Sequence, residues 1–390
     1  MKSQFASLIF VFLALTFRSK NYYVFYAFWA VLAGTTIFLL ASRGGKFSGR
    51  KLNFFSRWIK YYGLLLFWIL ACTAFAHDSS QHLKYAVIFL GYGISSIFLC
   101  WEFMKLNSVR QANLIFQVMS WWTCAIIFLF MLHYTRIMAP AREDDFAGLL
   151  SDRNAFAVAA GFFSLFGLSV VKSLKNRNEQ LLIYIMAVVN GGIIAATGSI
   201  TGLMVYFIAW APSLLERAIS VKSLVAVIAL LTIVWSNLDE LAYRVDRFSQ
   251  ALSDDDTELL ENESAFKRPY MIANGLRITS ENPVFGVGFE AARNHYSWPN
   301  GDPGAHLHNN FLDISTSIGI PGLIIFYLPL LIIGHQAIFK KNNDLKEWGV
   351  SAVCGAAILL ISVTYTWYID FIPVLMFVFA GSHMRGRLRD

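Results

Sequence analysis

Ala305-His306-Leu307-His308-Asn309-Asn310 puts two histidines and two amides at the end of a long polar segment, directly before an apolar run from Phe311 to Phe339. Histidine is the side chain whose ordinary titration range suits proton transfer near neutral pH. Arginines surround this stretch in sequence: Arg268, Arg277 and Arg293 precede it, and Arg153 lies further upstream. Arginine grips phosphate bidentately and keeps its charge at any physiological pH. A histidine that takes a hydroxyl proton, beside arginines that take up growing phosphate charge, fits transfer of a group from a lipid-linked pyrophosphate to a hydroxyl. In that reading His308, just before the apolar run, is the candidate to take the proton. Arg277, Arg293, His306, Asn309 and Arg153 are the further candidates for substrate binding.

Plainer readings stand beside these. A histidine at a membrane interface is often solvated or touching headgroups, an interfacial arginine is a lipid anchor by default, and Gly286 and Gly288 are ordinary turn residues. In Ser151-Asp152-Arg153-Asn154, Asp152 or Asn154 reads as a helix cap. There is no His-Glu-x-x-His or Walker loop. His306-x-His308, even with Asp302 or Asp313, falls short of the three or four convergent ligands typical of a metal site. No metal or cofactor is expected.

The elements that must hold these residues are membrane helices. The chain has 390 residues, 56% hydrophobic and 15% charged, with a mean hydropathy of +0.52. Soluble domains carry about 25% charged residues. The apolar residues fall in blocks of bilayer-crossing length. The sequence reads as an all-α polytopic membrane protein of about 12 spans: 5–17, 22–41, 59–76, 83–104, 113–134, 154–171, 181–197, 200–215, 222–237, 311–339, 347–366 and 370–383. The seventh and eighth are joined by a tight turn at Gly198-Ser199. The four cysteines, Cys72, Cys100, Cys124 and Cys354, all fall in spans and read as core thiols. The first apolar stretch lacks a small-residue cleavage site, so no cleavable signal is expected.

Charge orients the spans. With a cytoplasmic N-terminus, 20 of the 32 Lys and Arg residues lie inside, 6 in short outer loops and 6 in one long outer segment. Both termini are then cytoplasmic, and the net charge of +7 follows from topology, with no call for nucleic acid. The chain divides into 1–237 (spans one to nine), a long outer loop 238–309, and 310–390 (spans ten to twelve). An unstructured loop of that length is usually functional. Its first half is acidic, with an Asp254–Asp256 run, and its second half is basic. Arg268 to Leu276 reads as a short amphipathic helix with Pro269 in its first turn and Gly275 at its C-terminal end. Asn282 to Gly288 reads as a turn. Asn309 is placed to cap the helix that follows, whose positive end favours a neutral imidazole at His308 and attracts phosphate.

These features together resemble the O-antigen ligase family and its O-antigen polymerase relatives. His308-Asn309, then nine residues, then Gly319-Ile320-Pro321-Gly322 fits the family's histidine and Gly-x-x-Gly spacing. Arg268 before Met271 and Gly275, then Pro283-Val284-Phe285-Gly286-Val287-Gly288, resembles its Arg-led helix and glycine turn. The resemblance covers about 240–325. It implies a helical bundle of the bacterial inner membrane with an outer cavity under a periplasmic cap. It implies inverting, metal-independent glycosyl transfer from an undecaprenyl-pyrophosphate-linked glycan, with His308 as the general base and Arg268 as a pyrophosphate contact. The acceptor is lipid A-core in a ligase, or a lipid-linked glycan in a polymerase; membrane lipids surround the enzyme. One position departs: in Thr197-Gly198-Ser199-Ile200-Thr201, Ile200 stands where the family often has arginine, and Arg153 or Arg277 is the candidate replacement. A transporter or flippase is the competing class. Against it, the span centres are almost uncharged, whereas transporters place ionisable groups near the midplane.

Overall fold

A computed structural model describes residues 49–104, 108–134, 153–171, 174–215, 264–297, 304, 306–339 and 359. The described residues form helices and turns and no strand. Helix α1 spans Gly49–Cys72, α2 Ser79–Met104, α3 Ser108–Tyr134, α4 Arg153–Val170, α5 Arg177–Ala196, α6 Ile200–Leu215, α7 Ser264–Glu281 and α8 Asn310–Phe339. Seven of the expected spans, the third to eighth and the tenth, overlap with α1–α6 and α8, α1 beginning ten residues before the expected 59. The first, second, ninth, eleventh and twelfth, and loop residues 238–263, lie outside the described residues. Among the described residues, two helical stretches, Arg177–Ala196 and Asn310–Leu331, are long and apolar enough to cross a membrane. Phe67, Trp121, Phe128 and Met131 point outward and are 60% exposed or more. Such faces are costly against water and at ease against hydrocarbon.

Small residues set the closest helix contacts. A Cβ on Gly202 of α6 would sit 2.3 Å from the Ala157 Cβ of α4, and one on Gly161 would sit 2.8 Å from Val205. Without a hydrophobic drive between helices in lipid, such close backbone approach is what holds them. The α5–α6 turn forms at Gly198, as expected. Ser199 caps α6 by accepting the Gly202 N–H at 3.2 Å, and its hydroxyl donates to Asn154 Oδ1 at 2.8 Å. That bond ties the turn to the first residues of α4.

Two expectations about helices are corrected. The helix expected over 268–276 runs from Ser264 to Glu281. Gly275 lies inside it and not at its end. Its missing side chain makes room for Leu307 and Leu312, which a Cβ would approach to 2.9 and 3.1 Å. Met271, Gly275 and Ile278 recur at helical spacing and form the buried face. They pack with Val287, Tyr296, Leu307 and Leu312 in a small core of their own, apart from the main one.

The expected continuous span 311–339 is broken. Ile318 (φ −134°, ψ 17°) and Gly319 (φ 74°, ψ 175°) leave helical geometry, and Pro321 follows without an N–H to give. A break frees carbonyls that must find donors away from water. Thr316 O accepts from Val287 N at 2.7 Å, Ser317 O from Gly288 N at 3.0 Å, and Ile318 O from Trp68 Nε1 at 2.8 Å. In return Ile320 N donates to Pro283 O at 2.8 Å. The turn 282–288 is therefore docked, backbone to backbone, into the break in α8.

The cysteine expectation is corrected in part. Cys72 is buried, but Cys124 lies on the exposed face of α3.

Candidate active site

The site forms where three pieces meet: the turn after α7, the segment that leads into α8, and the start of α2. Phe289 is its anchor. It is buried and stacks on His82, Tyr85 and Phe89 of α2, with ring centroids 5.0, 5.5 and 5.3 Å away. His82 is fully buried and fully used. Its Nδ1 accepts the Phe289 N–H at 3.2 Å, so Nε2 carries the proton and donates to Ile69 O at 2.8 Å. Phe285 stacks on Phe75 at 3.9 Å and on Trp68 at 5.6 Å, and His77 N donates to Val287 O at 2.8 Å. The turn is thus clamped to α1 and α2 as well as to α8.

Asn309 caps α8, as expected: its Oδ1 accepts the Leu312 N–H at 3.1 Å. His308 precedes the cap with φ 50° and its side chain exposed. Leu307 is buried between the two exposed histidines, and its N–H donates to Asp313 Oδ1 at 3.3 Å. This pins the approach segment from below and leaves both rings outward. His306 Nε2 lies 3.3 Å from Glu290 Oε2, and Tyr85 Oη donates to Glu290 Oε1 at 2.8 Å. Among the described residues, Glu290 and His308 are the non-glycine residues with positive φ (61° and 50°). Left-handed backbone costs a side-chain-bearing residue on the order of 1–3 kcal/mol and concentrates at functional sites.

The other candidates fall in different places. Arg268 lies in α7 and Arg153 opens α4. Ile200 opens α6, directly after the Ser199 whose hydroxyl reaches Asn154, so Arg153 and Ile200 are chain neighbours of the two residues that share that bond. Arg293 is exposed on a 3-10 turn, Ala292–Asn294. Arg277 is committed to bracing. It pairs with Glu281 at 2.9 Å and donates to His295 O at 2.8 Å and Asn274 Oδ1 at 3.3 Å. This fastens the 3-10 turn to α7. His295 stands edge-on to His77 at 5.3 Å. Burial, then the charges of His77 and Arg277, hold its pKa below the usual histidine value, with Glu281 opposing. Among the described residues no group of three or more His, Cys, Asp or Glu is gathered to hold a metal.

Residues 180–327 match the O-antigen ligase family. That stretch is similar to an O-antigen ligase domain. The match begins in α5 and ends in the second half of α8, so the domain takes in the α5–α6 turn, α7, the glycine turn, both histidines and the break at Gly319. It reaches further upstream than the 240–325 region in which the motifs stand. The family resemblance read from His308 and Gly319-Ile320-Pro321-Gly322 is borne out. No curated protein matches the chain. Glu290, Tyr85 and His82 pack around the histidine-bearing segment, yet sequence spacing does not single them out. Tyr85 and His82 lie about two hundred residues upstream of their partners at 289 and 290, and no local periodicity carries such a pairing.

Proposed function

We propose that this protein is an inverting glycosyltransferase of the bacterial inner membrane. It moves an O-antigen-type glycan from undecaprenyl-pyrophosphate to a hydroxyl of lipid A-core, as an O-antigen ligase. The observation that carries the reading is the ligase-domain match over 180–327 with His308 exposed at the capped start of α8. His308 takes the acceptor hydroxyl proton. The acceptor oxygen bonds the anomeric carbon on the face opposite the pyrophosphate; the bond from that carbon to the phosphate oxygen breaks, and the departing pyrophosphate keeps the electron pair. Arg268 receives that growing charge, a role that suits guanidinium better than ammonium. Arg153, beside the α5–α6 turn, stands for the cation that Ile200 does not supply. In this reading the loop 238–309 is periplasmic, where lipid-linked glycans serve as donors in place of nucleotide sugars. The same chemistry with a lipid-linked glycan as acceptor makes a polymerase.

Deletion followed by surface-polysaccharide analysis tests the reading and separates the two acceptors. Rough lipopolysaccharide with accumulated long lipid-linked polymer means a ligase. Core bearing one repeat unit means a polymerase. Unchanged surface glycan refutes both. Complementation with His308→Ala is expected to fail at normal expression, and normal glycan in that strain removes His308 from the base role.

A further inference from the structure

The transferase reading leaves Glu290 without a task, although the fold invests in it. Its backbone is left-handed, and its carboxylate is only 11% exposed. Its two oxygens face two different partners: Oε1 accepts from Tyr85 of α2 at 2.8 Å, and Oε2 lies 3.3 Å from His306 Nε2. Phe289, the preceding residue, is locked between His82, Tyr85 and Phe89, so the carboxylate cannot drift. A carboxylate only accepts hydrogen bonds, so a hydrogen bond across that 3.3 Å gap needs the proton on His306 Nε2, and in the neutral ring the lone pair then sits on Nδ1. This is the arrangement by which a buried acid fixes the tautomer and orientation of a working imidazole. The His306 side chain is about half exposed (47%), so a ligand can reach the ring.

Resting on the transferase reading above, we infer that Glu290 is a positioning residue that holds His306 as the Nε2–H tautomer, so that His306 Nδ1 accepts a hydrogen bond from a sugar hydroxyl of the glycan. The two histidines then divide the work. His308 removes the reacting proton, and His306, two residues earlier and on the same exposed segment, orients the sugar. Tyr85 carries the arrangement back to α2, which makes the register of α2 against the turn part of the site.

The test uses the full-length protein in lipid nanodiscs with 15N-labelled histidine, His306 being assigned by the signal lost in His306→Asn. The wild type is expected to show Nε2–H, and Glu290→Gln to shift the ring toward Nδ1–H, since the glutamine amide can donate to Nε2 while its oxygen accepts from Tyr85. In parallel, transfer is assayed with lipid-linked glycan extracted from the deletion strain. Glu290→Gln is expected to raise KM for that glycan on the order of tenfold, the worth of one hydrogen bond to the substrate, with a smaller effect on kcat. Tyr85→Phe keeps the ring stack on Phe289 and is expected to give a partial shift in the same direction. A wild-type His306 protonated on Nδ1, or a Glu290→Gln protein with unchanged tautomer and KM, overturns the inference. Absence of any transfer by the wild type overturns the transferase reading instead, and leaves the tautomer result to decide whether Glu290 positions the ring.

Discussion

Gly319→Ala tests whether the break in α8 is built by the docked turn. At φ 74° and ψ 175° the residue sits in a region essentially reserved for glycine, so alanine costs about 1–3 kcal/mol from conformation alone. The new Cβ would lie 1.9 Å from Val284 O and 2.4 Å from Val284 C. Both are backbone atoms, so no side chain can swing away and the turn itself must move. Moving it strains three interlocking bonds: Val287 N to Thr316 O, Gly288 N to Ser317 O, and Ile320 N to Pro283 O. Each contributes about 0.5–1.5 kcal/mol net. The total loss is on the order of 3–7 kcal/mol, enough to unfold a marginal protein. Gly192→Ala is the control. It lies in α5 with nothing within 4 Å of its Cβ position, and alanine there should stabilise by roughly 0.5–1 kcal/mol. Thermal unfolding and limited proteolysis in one detergent compare the two. A Gly319→Ala protein that melts with the wild type and transfers glycan normally refutes the docked-turn account.

Other predictions are simpler. Arg268→Lys is expected to lose most transfer activity while expressing normally, because a point charge does not replace a bidentate fork; wild-type turnover in a membrane assay argues against pyrophosphate contact there. Phe289→Ala should destabilise by about 3–5 kcal/mol, since the ring is buried against three aromatic side chains; chemical denaturation measures it, and a loss under ~1 kcal/mol contradicts its anchoring role. His295 resists protonation in the folded protein, so the unfolded chain binds that proton more readily. Stability should therefore fall as pH drops through the ordinary histidine value near ~6.5, and His295→Gln should flatten the loss. Equal pH slopes for the two proteins in a thermal-shift series count against it.

Much of this protein is determined by sequence alone, because membranes impose a local rule. Backbone groups in lipid must be satisfied within a segment, so apolar blocks of sufficient length declare themselves as helices. That is why α1–α6 fall where hydropathy puts them. Capping is equally local: Asn309 and its partner at Leu312 are three residues apart, and Gly198 marks its own turn. The catalytic candidate His308 is legible for the same reason, through its fixed spacing to Gly319 and Gly322. The break at Gly319 is not, since apolar content continues straight through it. It exists because a turn thirty or so residues earlier supplies the donors and acceptors that the helix gives up there. Gly275 reads as a helix end until Leu307 and Leu312 are seen against it. Arg277 reads as a free cation until Glu281 and the His295 carbonyl take it up. Glu290 reads as one charge among many, and becomes a partner of His306 only through Tyr85 and Phe289. In each case the deciding contact joins residues distant in sequence, and only the packed chain brings them within hydrogen-bonding reach.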